Sequence, residues 1–279
     1  MFMAGRSGWD PTLYEGSAPY YAQGRLPYPT EMAVAMRDAL SLDGTGRLID
    51  VGCGPGSVAL LLAPLFAEVV GVDPDPGMIA EANATAAMLG VANARWAQMT
   101  AESLPGDLGR FRVATFAQSF HWMERELVAS IVREMLEKRG SWVHINATTH
   151  QGVEAARDLP WPSPPRAAID ALIRAYLGET RRAGRTTLPT GTPSGEDEVM
   201  LATGFSSPRR MATAGHDHER SEDEIVASVF SLSSAAPHLF AERREAFETE
   251  LRTLLRETSP ERRFAEQARA VELVFWERS

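Results

Sequence analysis

The sequence has almost no cysteine. Cys53 stands alone among 279 residues, so no internal disulfide can form, a pattern that fits a reducing compartment. Long apolar runs are missing too: no stretch approaches the ~18 residues a membrane helix needs. The N-terminus, MFMAGRSGWDPTLYEGS, holds no apolar segment followed by a small-residue cleavage site, which argues against secretion. Positive charge is scarce. Lys and Arg number 28 against 37 Asp and Glu, a net charge of −9, so the chain gains little from counterion release on nucleic acid. Repeats and low-complexity tracts are absent. These absences leave an acidic, soluble, cytoplasmic protein as the expectation, with neither nucleic acid nor membrane as partner.

What is present is an alternation. Short apolar strands are expected at 47–52, 68–73, 92–98, 111–118 and 141–148. Helices are expected between them at 57–66, 76–89 and 124–136. That order argues for a parallel sheet covered on both faces. After His150 the pattern breaks. Helices are expected near 166–183, at 196–205, 221–232 and 238–257, with strands at 209–215 and 269–278. The organisation expected is a leader and helix over 1–45, an α/β core over 46–150, and lid helices with the last strands over 151–279.

The stretch LIDVGCGPGS, residues 48–57, closes the first strand with three glycines in five positions, Gly52, Gly54 and Gly56. Such a loop lets a ligand approach the backbone closely. The dinucleotide fingerprint G-x-G-x-x-G requires a third glycine where Ser57 stands, and Pro55 has no N–H for a pyrophosphate. Asp73 ends the second strand, 17 residues after Gly56. At a strand tip it can accept both hydroxyls of a ribose, or it can cap the helix that follows Pro74.

Four segments in order, IDVGCGPGS (49–57), VVGVDPDPGMIAEA (69–82), QMTAESLP (98–105) and FAQSFHWM (116–123), carry a resemblance. Over residues 47–150 the chain resembles the class I S-adenosylmethionine-dependent methyltransferases, in the branch acting mainly on small molecules. YYAQGRLPYP (20–29) looks like that branch's leader. The resemblance implies a Rossmann-like, seven-stranded, mostly parallel α/β sheet with a helical lid in the C-terminal half. It implies S-adenosyl-L-methionine as cofactor, with Gly52, Gly54 and Gly56 under the methionine part and Asp73 on the ribose. Pro74 and Met78 fall near the adenine, and Ala101 and Glu102 at its edge. Gln118 falls where the amino group is received, and Tyr20 and Arg25 over the carboxylate. Asp50 is expected to bond the loop or a positioning water. Cys53 is assigned no chemistry.

The expected reaction passes a methyl group to O, N or C of a small organic acceptor, with secondary metabolism as a setting by analogy. His121 leads as a base and His150 follows, since an imidazole titrates near neutrality. Phe120 and Trp122 are expected to wall the acceptor. The rival reading of this segment is structural packing. His216 and His218, with Asp217 and Glu219, fall short of a metal set and read as a surface turn, so no metal is expected. Arg181, Arg182 and Arg185 suit a solvated helix end, with an anionic acceptor as their alternative partner. An NAD-type oxidoreductase and a non-catalytic S-adenosylmethionine-binding regulator are the alternatives. A homodimer is the one assembly considered.

Overall fold

Leu48, Ile49 and Val51 are fully buried, and their run into a glycine loop makes β1 (Arg47–Val51) the centre of the molecule. The computed structural model describes residues 9–153, 157–180, 182–183, 186–187 and 195–278. The leader forms α1 (Ala18–Gly24), followed by α2 (Thr30–Leu40). After β1 come α3 (Ser57–Leu62), β2 (Glu68–Asp73), α4 (Pro76–Leu89), β3 (Ala94–Gln98), β4 (Phe111–Ala117), α5 (Arg125–Met135) and β5 (Leu136–Asn146). The second half holds α6 (Arg166–Leu177), the short pair β6 (Arg182–Ala183) and β7 (Thr186–Thr187), α7 (Glu196–Ala202) and β8 (Arg209–Ala212). β9 (Asp217–Ser221), α8 (Glu222–Phe230), α9 (Arg244–Thr258), β10 (Arg263–Gln267) and β11 (Glu272–Glu277) complete it.

Seven strands form one sheet in the order β3-β2-β1-β4-β5-β11-β8. β11 pairs antiparallel with both β5 and β8, so it alone runs against the other six. The order reverses between β1 and β4, the switch point where doubly wound sheets open a crevice at their strand tips. One apolar layer packs beneath α5 and α7 and another beneath α2 and α3. A third lies away from the sheet, where Ile225, Phe230, Phe240, Phe247 and Leu251 join α6, α8 and α9. These aromatic side chains each bury a large apolar area, which is why the lid helices have a core of their own. Among the described residues no single helix is long and apolar enough to cross a membrane.

The fold follows the sequence closely, with four departures. β5 begins at Leu136, directly after α5, and ends at Asn146. The long helix expected from 238 begins only at Arg244, because Ala241 takes a left-handed φ of 48° within a 3₁₀ turn at Pro237–Arg243. The expected turn at GHDHE is instead strand β9, paired antiparallel with β10. The helix expected near 166–183 stops at Leu177, before Gly178 at φ 85°. Arg181 and Arg185 lie outside the described residues.

The leader is fastened to the lid. A Cβ on Gly24 would stand 2.3 Å from the Ala227 backbone, so α1 and α8 touch main chain to main chain. Arg220 donates to the Gly24 carbonyl at 2.6 Å, and Arg25 donates to the Ser231 carbonyl at 2.6 Å. Arg220 is itself held by Glu266 at 3.0 Å, both almost wholly buried.

Candidate active site

The three glycines do different work. All have positive φ: 69° at Gly52, 53° at Gly54 and 82° at Gly56. A Cβ on Gly52 would strike Ser119 at 2.5 Å, and one on Gly56 would strike the Trp96 ring at 2.5 Å. A Cβ on Gly54 would meet nothing within 4 Å, because Gly54 faces the cleft. Gly54→Ala is therefore expected to lose only about 1 kcal/mol of stability, from the left-handed backbone. Gly56→Ala adds a steric collision and is expected to lose 2–4 kcal/mol, roughly. Thermal melts of the two variants check the order.

Asp73 sits directly beneath Gly54. Its Oδ2 accepts the Gly54 N–H at 2.8 Å and its Oδ1 accepts the Asp75 N–H at 2.9 Å. The capping alternative falls away: Asp75 caps α4, accepting from Gly77 at 2.7 Å and Met78 at 3.1 Å. Burial pushes the Asp73 carboxyl up to about 6, with its two backbone bonds opposing. Asp50, in the neighbouring strand β1, is buried and accepts the Thr115 hydroxyl at 2.7 Å. Burial pushes its carboxyl up to about 7, against the bonds from Thr115 and the Ala59 backbone.

The cleft runs from this loop across β2 to Pro74, Met78, Met99, Ala101 and Glu102. Trp9, Leu13, Tyr14 and Tyr21 cover it. Gln118 follows β4 directly at φ 55°, an unusual conformation for a residue with a side chain, and borders three cavities. One is this cleft. A second, outer cavity of about 560 Å3 holds Arg25, Asp50, Cys53 and His218. The third, about 520 Å3, holds His121.

The structure thus brings together Asp73, Pro74, Met78, Ala101, Glu102, Gln118, Gly52, Gly54 and Trp122 along one cleft. Gly56 packs on Trp96 instead of lining it. Tyr20 lies elsewhere: its ring packs on Phe230 at 5.1 Å and its hydroxyl accepts from Arg244. Its neighbour Tyr21 takes the place over the cleft, about 100° further round the helix. Arg25 borders the outer cavity, but Ser231 and Thr149 accept its donors, at 2.9 Å for Nε–Ser231 Oγ. Glu102 accepts the Glu124 N–H at 3.0 Å. Phe120 is a core residue, edge-on to Trp142 at 5.1 Å, with a margin in the His121 cavity. His150 lines none of these cavities. His144 and Glu196, which the sequence reading passed over, face His121 across its cavity. Their only signal was the alternation Trp142, His144, Asn146 along one face of β5. Among the described residues no group of His, Cys, Asp and Glu could hold a metal.

A Rossmann-like sheet of this strand order, with a glycine loop and an acid at neighbouring strand tips, is a class I methyltransferase fold. Residues 48–139, about a third of the chain, match the family model described as a methyltransferase domain. It is 33% identical over 102 residues to the uncharacterized methyltransferase YcgJ of Bacillus subtilis, covering 36% of this chain and 40% of that one. It is 34% identical over 99 residues to a trans-aconitate 2-methyltransferase of Methylobacterium radiotolerans, covering 35% of each. The chain thus spans well under two thirds of both relatives. The crystal structure of YcgJ superposes with a TM-score of 0.51 at 18% identity, covering 90% of this chain and all of that one, a likeness of fold.

The fold class implies S-adenosylmethionine, and the residues fit it. A carboxylate offers about four lone-pair positions, and Asp73 uses one on each oxygen, so both can still accept a hydroxyl. The bare face of Gly54 leaves room for a ligand. Met78 and Met99 give the far end adaptable thioether walls suited to an adenine.

Proposed function

We propose that this chain binds S-adenosylmethionine in the cleft and transfers its methyl group to O, N or C of a small organic acceptor. The observation that carries the reading is the bond between the Gly54 N–H and Asp73 at the switch point, with open space over Gly54. The bound cofactor supplies an electrophilic methyl group on a sulfonium sulfur. The chain's own work is chiefly alignment, which can lower a barrier by ~7–11 kcal/mol. Asp73 and Gly54 fix the sugar end. Gln118 stands where the cleft meets the cavity of His121, so it is placed to orient what reacts. Burial lowers the His121 pKa, against the pull of Glu196, so the ring in that cavity is neutral near pH 7. Calorimetry with S-adenosylmethionine and S-adenosylhomocysteine, then an acceptor screen, tests the reading; no heat with either compound sinks it.

The ribose role gives binding a pH dependence. Below about 6 the Asp73 carboxyl is protonated in the free protein and loses acceptor capacity. Affinity should therefore fall as pH drops from 8 to 5. Stability of the free protein moves the other way. Asp50 and Asp73 have folded pKa values above the ordinary 3.8, so their contribution is full below about 4 and is lost as pH rises through about 6 and 7. The rise in melting temperature on adding S-adenosylmethionine should be larger at pH 8 than at pH 5. An equal shift at both would remove Asp73 from the binding site.

A further inference from the structure

Beyond Gln118, the tips of β4 and β5 and the start of α7 enclose the third cavity, about 520 Å3 and bordered by His121, His144, Asn146, Glu196, Asp197 and Glu198. Gln118 and Ser119 also border the cofactor cleft, so the two spaces share a wall. His144 is held rigidly. Its exposure is 3%, and the rings of Phe120 and Trp142 lie 5.2 and 5.4 Å away. Its Nδ1 is 2.9 Å from Glu196 Oε2.

That bond decides the tautomer. Burial acts to raise the Glu196 pKa, but His144, His121 and Arg125 outweigh it and keep it below the usual carboxylate value. An ionised carboxylate only accepts, so the shared proton sits on Nδ1. With that proton on Nδ1, Nε2 is the ring's remaining hydrogen-bonding atom, and it has no partner in the protein. A buried acceptor left without a partner is costly, and such groups recur where a ligand completes them.

Given the methyl-transfer reading above, on which this rests, we propose that this cavity receives the acceptor, that the acceptor is a neutral or cationic N–H or O–H nucleophile, and that His144 Nε2 takes its proton with Glu196 as the positioning residue. His144 removes the heteroatom's proton as the heteroatom's electron pair closes on the methyl carbon. The former carbon–sulfur pair remains on sulfur as a neutral thioether. The imidazolium that results faces the Glu196 carboxylate. The charge of the rim sets the class of acceptor. Glu196, Asp197 and Glu198 are answered by Arg210, which pairs with Asp197, and by Arg125, which faces Glu196 and His121. Among the described residues the surplus is negative, so anionic acceptors are disfavoured. His121 shares the cavity as a wall and hydrogen-bonding group.

The test uses the full chain with ¹⁵N-labelled histidine and long-range proton–nitrogen NMR, the His144 signals being assigned by their loss in His144→Gln. The expected wild-type spectrum shows His144 as the Nδ1–H tautomer, and Glu196→Ala mixes the two tautomers. Benzylamine should move the His144 Nε2 signal and citrate should not. With an acceptor from the screen, His144→Gln should lower kcat about 100-fold or more, and His121→Ala less, with S-adenosylmethionine affinity kept in both. An Nε2–H tautomer in the wild type, an unmoved signal with benzylamine, or an unchanged kcat in His144→Gln would overturn the assignment. A wild type that gives no heat with S-adenosylmethionine, its tautomer as expected, would overturn the methyl-transfer reading and with it the acceptor role of the cavity.

Discussion

Asp73→Ala is expected to weaken S-adenosylmethionine binding by about 3 kcal/mol, on the order of 100-fold in Kd at pH 8. The estimate comes from two hydroxyl bonds to one carboxylate, each worth about 1.5–3 kcal/mol as charge-assisted bonds. The loop should also loosen, since the Gly54 and Asp75 N–H groups lose their acceptor. Asp73→Asn is the sharper control. Its amide keeps one acceptor oxygen but turns a donor toward one of those N–H groups. A purely structural Asp73 would show itself as lost stability of the free protein. At pH 8 burial penalises the ionised group, which offsets the backbone bond lost in Asp73→Asn, so that variant should melt near the wild type without ligand. Calorimetry and ligand-free melts of the two variants separate the roles. Affinity within twofold of the wild type in both would remove Asp73 from the ribose.

Glu266→Gln is expected to cost about 3–5 kcal/mol of stability, the range for removing one partner of a buried ion pair. Glu266 accepts from Arg166 at 2.8 Å with both oxygens, from Arg220 at 3.0 Å and from the Gly152 N–H at 2.8 Å. Arg220 is 3% exposed, and burial pulls its pKa down even beside Glu266. Without the carboxylate it would be a buried charge with no counterpart. The melting temperature should drop on the order of 10 °C for a chain of this size. Cofactor affinity should fall as well, because Arg220 also holds the Gly24 carbonyl of the leader that roofs the cleft. The pH signature is opposite to that of Asp73. Burial works against ionisation of Glu266, but its two arginines prevail and hold its pKa below the ordinary 4.5. Its contribution is therefore full above that value and lost as pH falls through the folded pKa. An acid-limb melting series should be steeper for the wild type than for Glu266→Gln. Parallel limbs would mean that Glu266 is not ionised in the fold.

The core was legible because its residues obey short-range rules. LIDVG and EVVGVD are buried apolar strands, and each is followed by a helix opened by glycine, serine or proline. The gathering of Gly54, Asp73 and Gln118 along one cleft was legible for the same reason, since all three lie at strand tips that the alternation locates. What escaped depended on distant partners. DHERS carries no apolar alternation, so β9 reads as a turn until Glu266 on β10 neutralises Arg220. Tyr20 and Tyr21 are adjacent in sequence, and only the docking of α1 on α8 decides which faces the cleft. Glu196 reads as an ordinary acid at a helix start until the fold brings it to 2.9 Å from His144, 52 residues away in sequence.

The seam between α1 and α8 has a consequence for biosynthesis. Arg25 reaches Ser231 across 206 residues and Arg220 reaches Gly24 across 196. Pairings so far apart in the chain close late, whereas β1, β2 and β4 assemble from near neighbours. On the ribosome the core sheet can form while the roof of the cleft is still missing. The nascent chain should become able to retain its cofactor only after Glu266 has emerged from the exit tunnel.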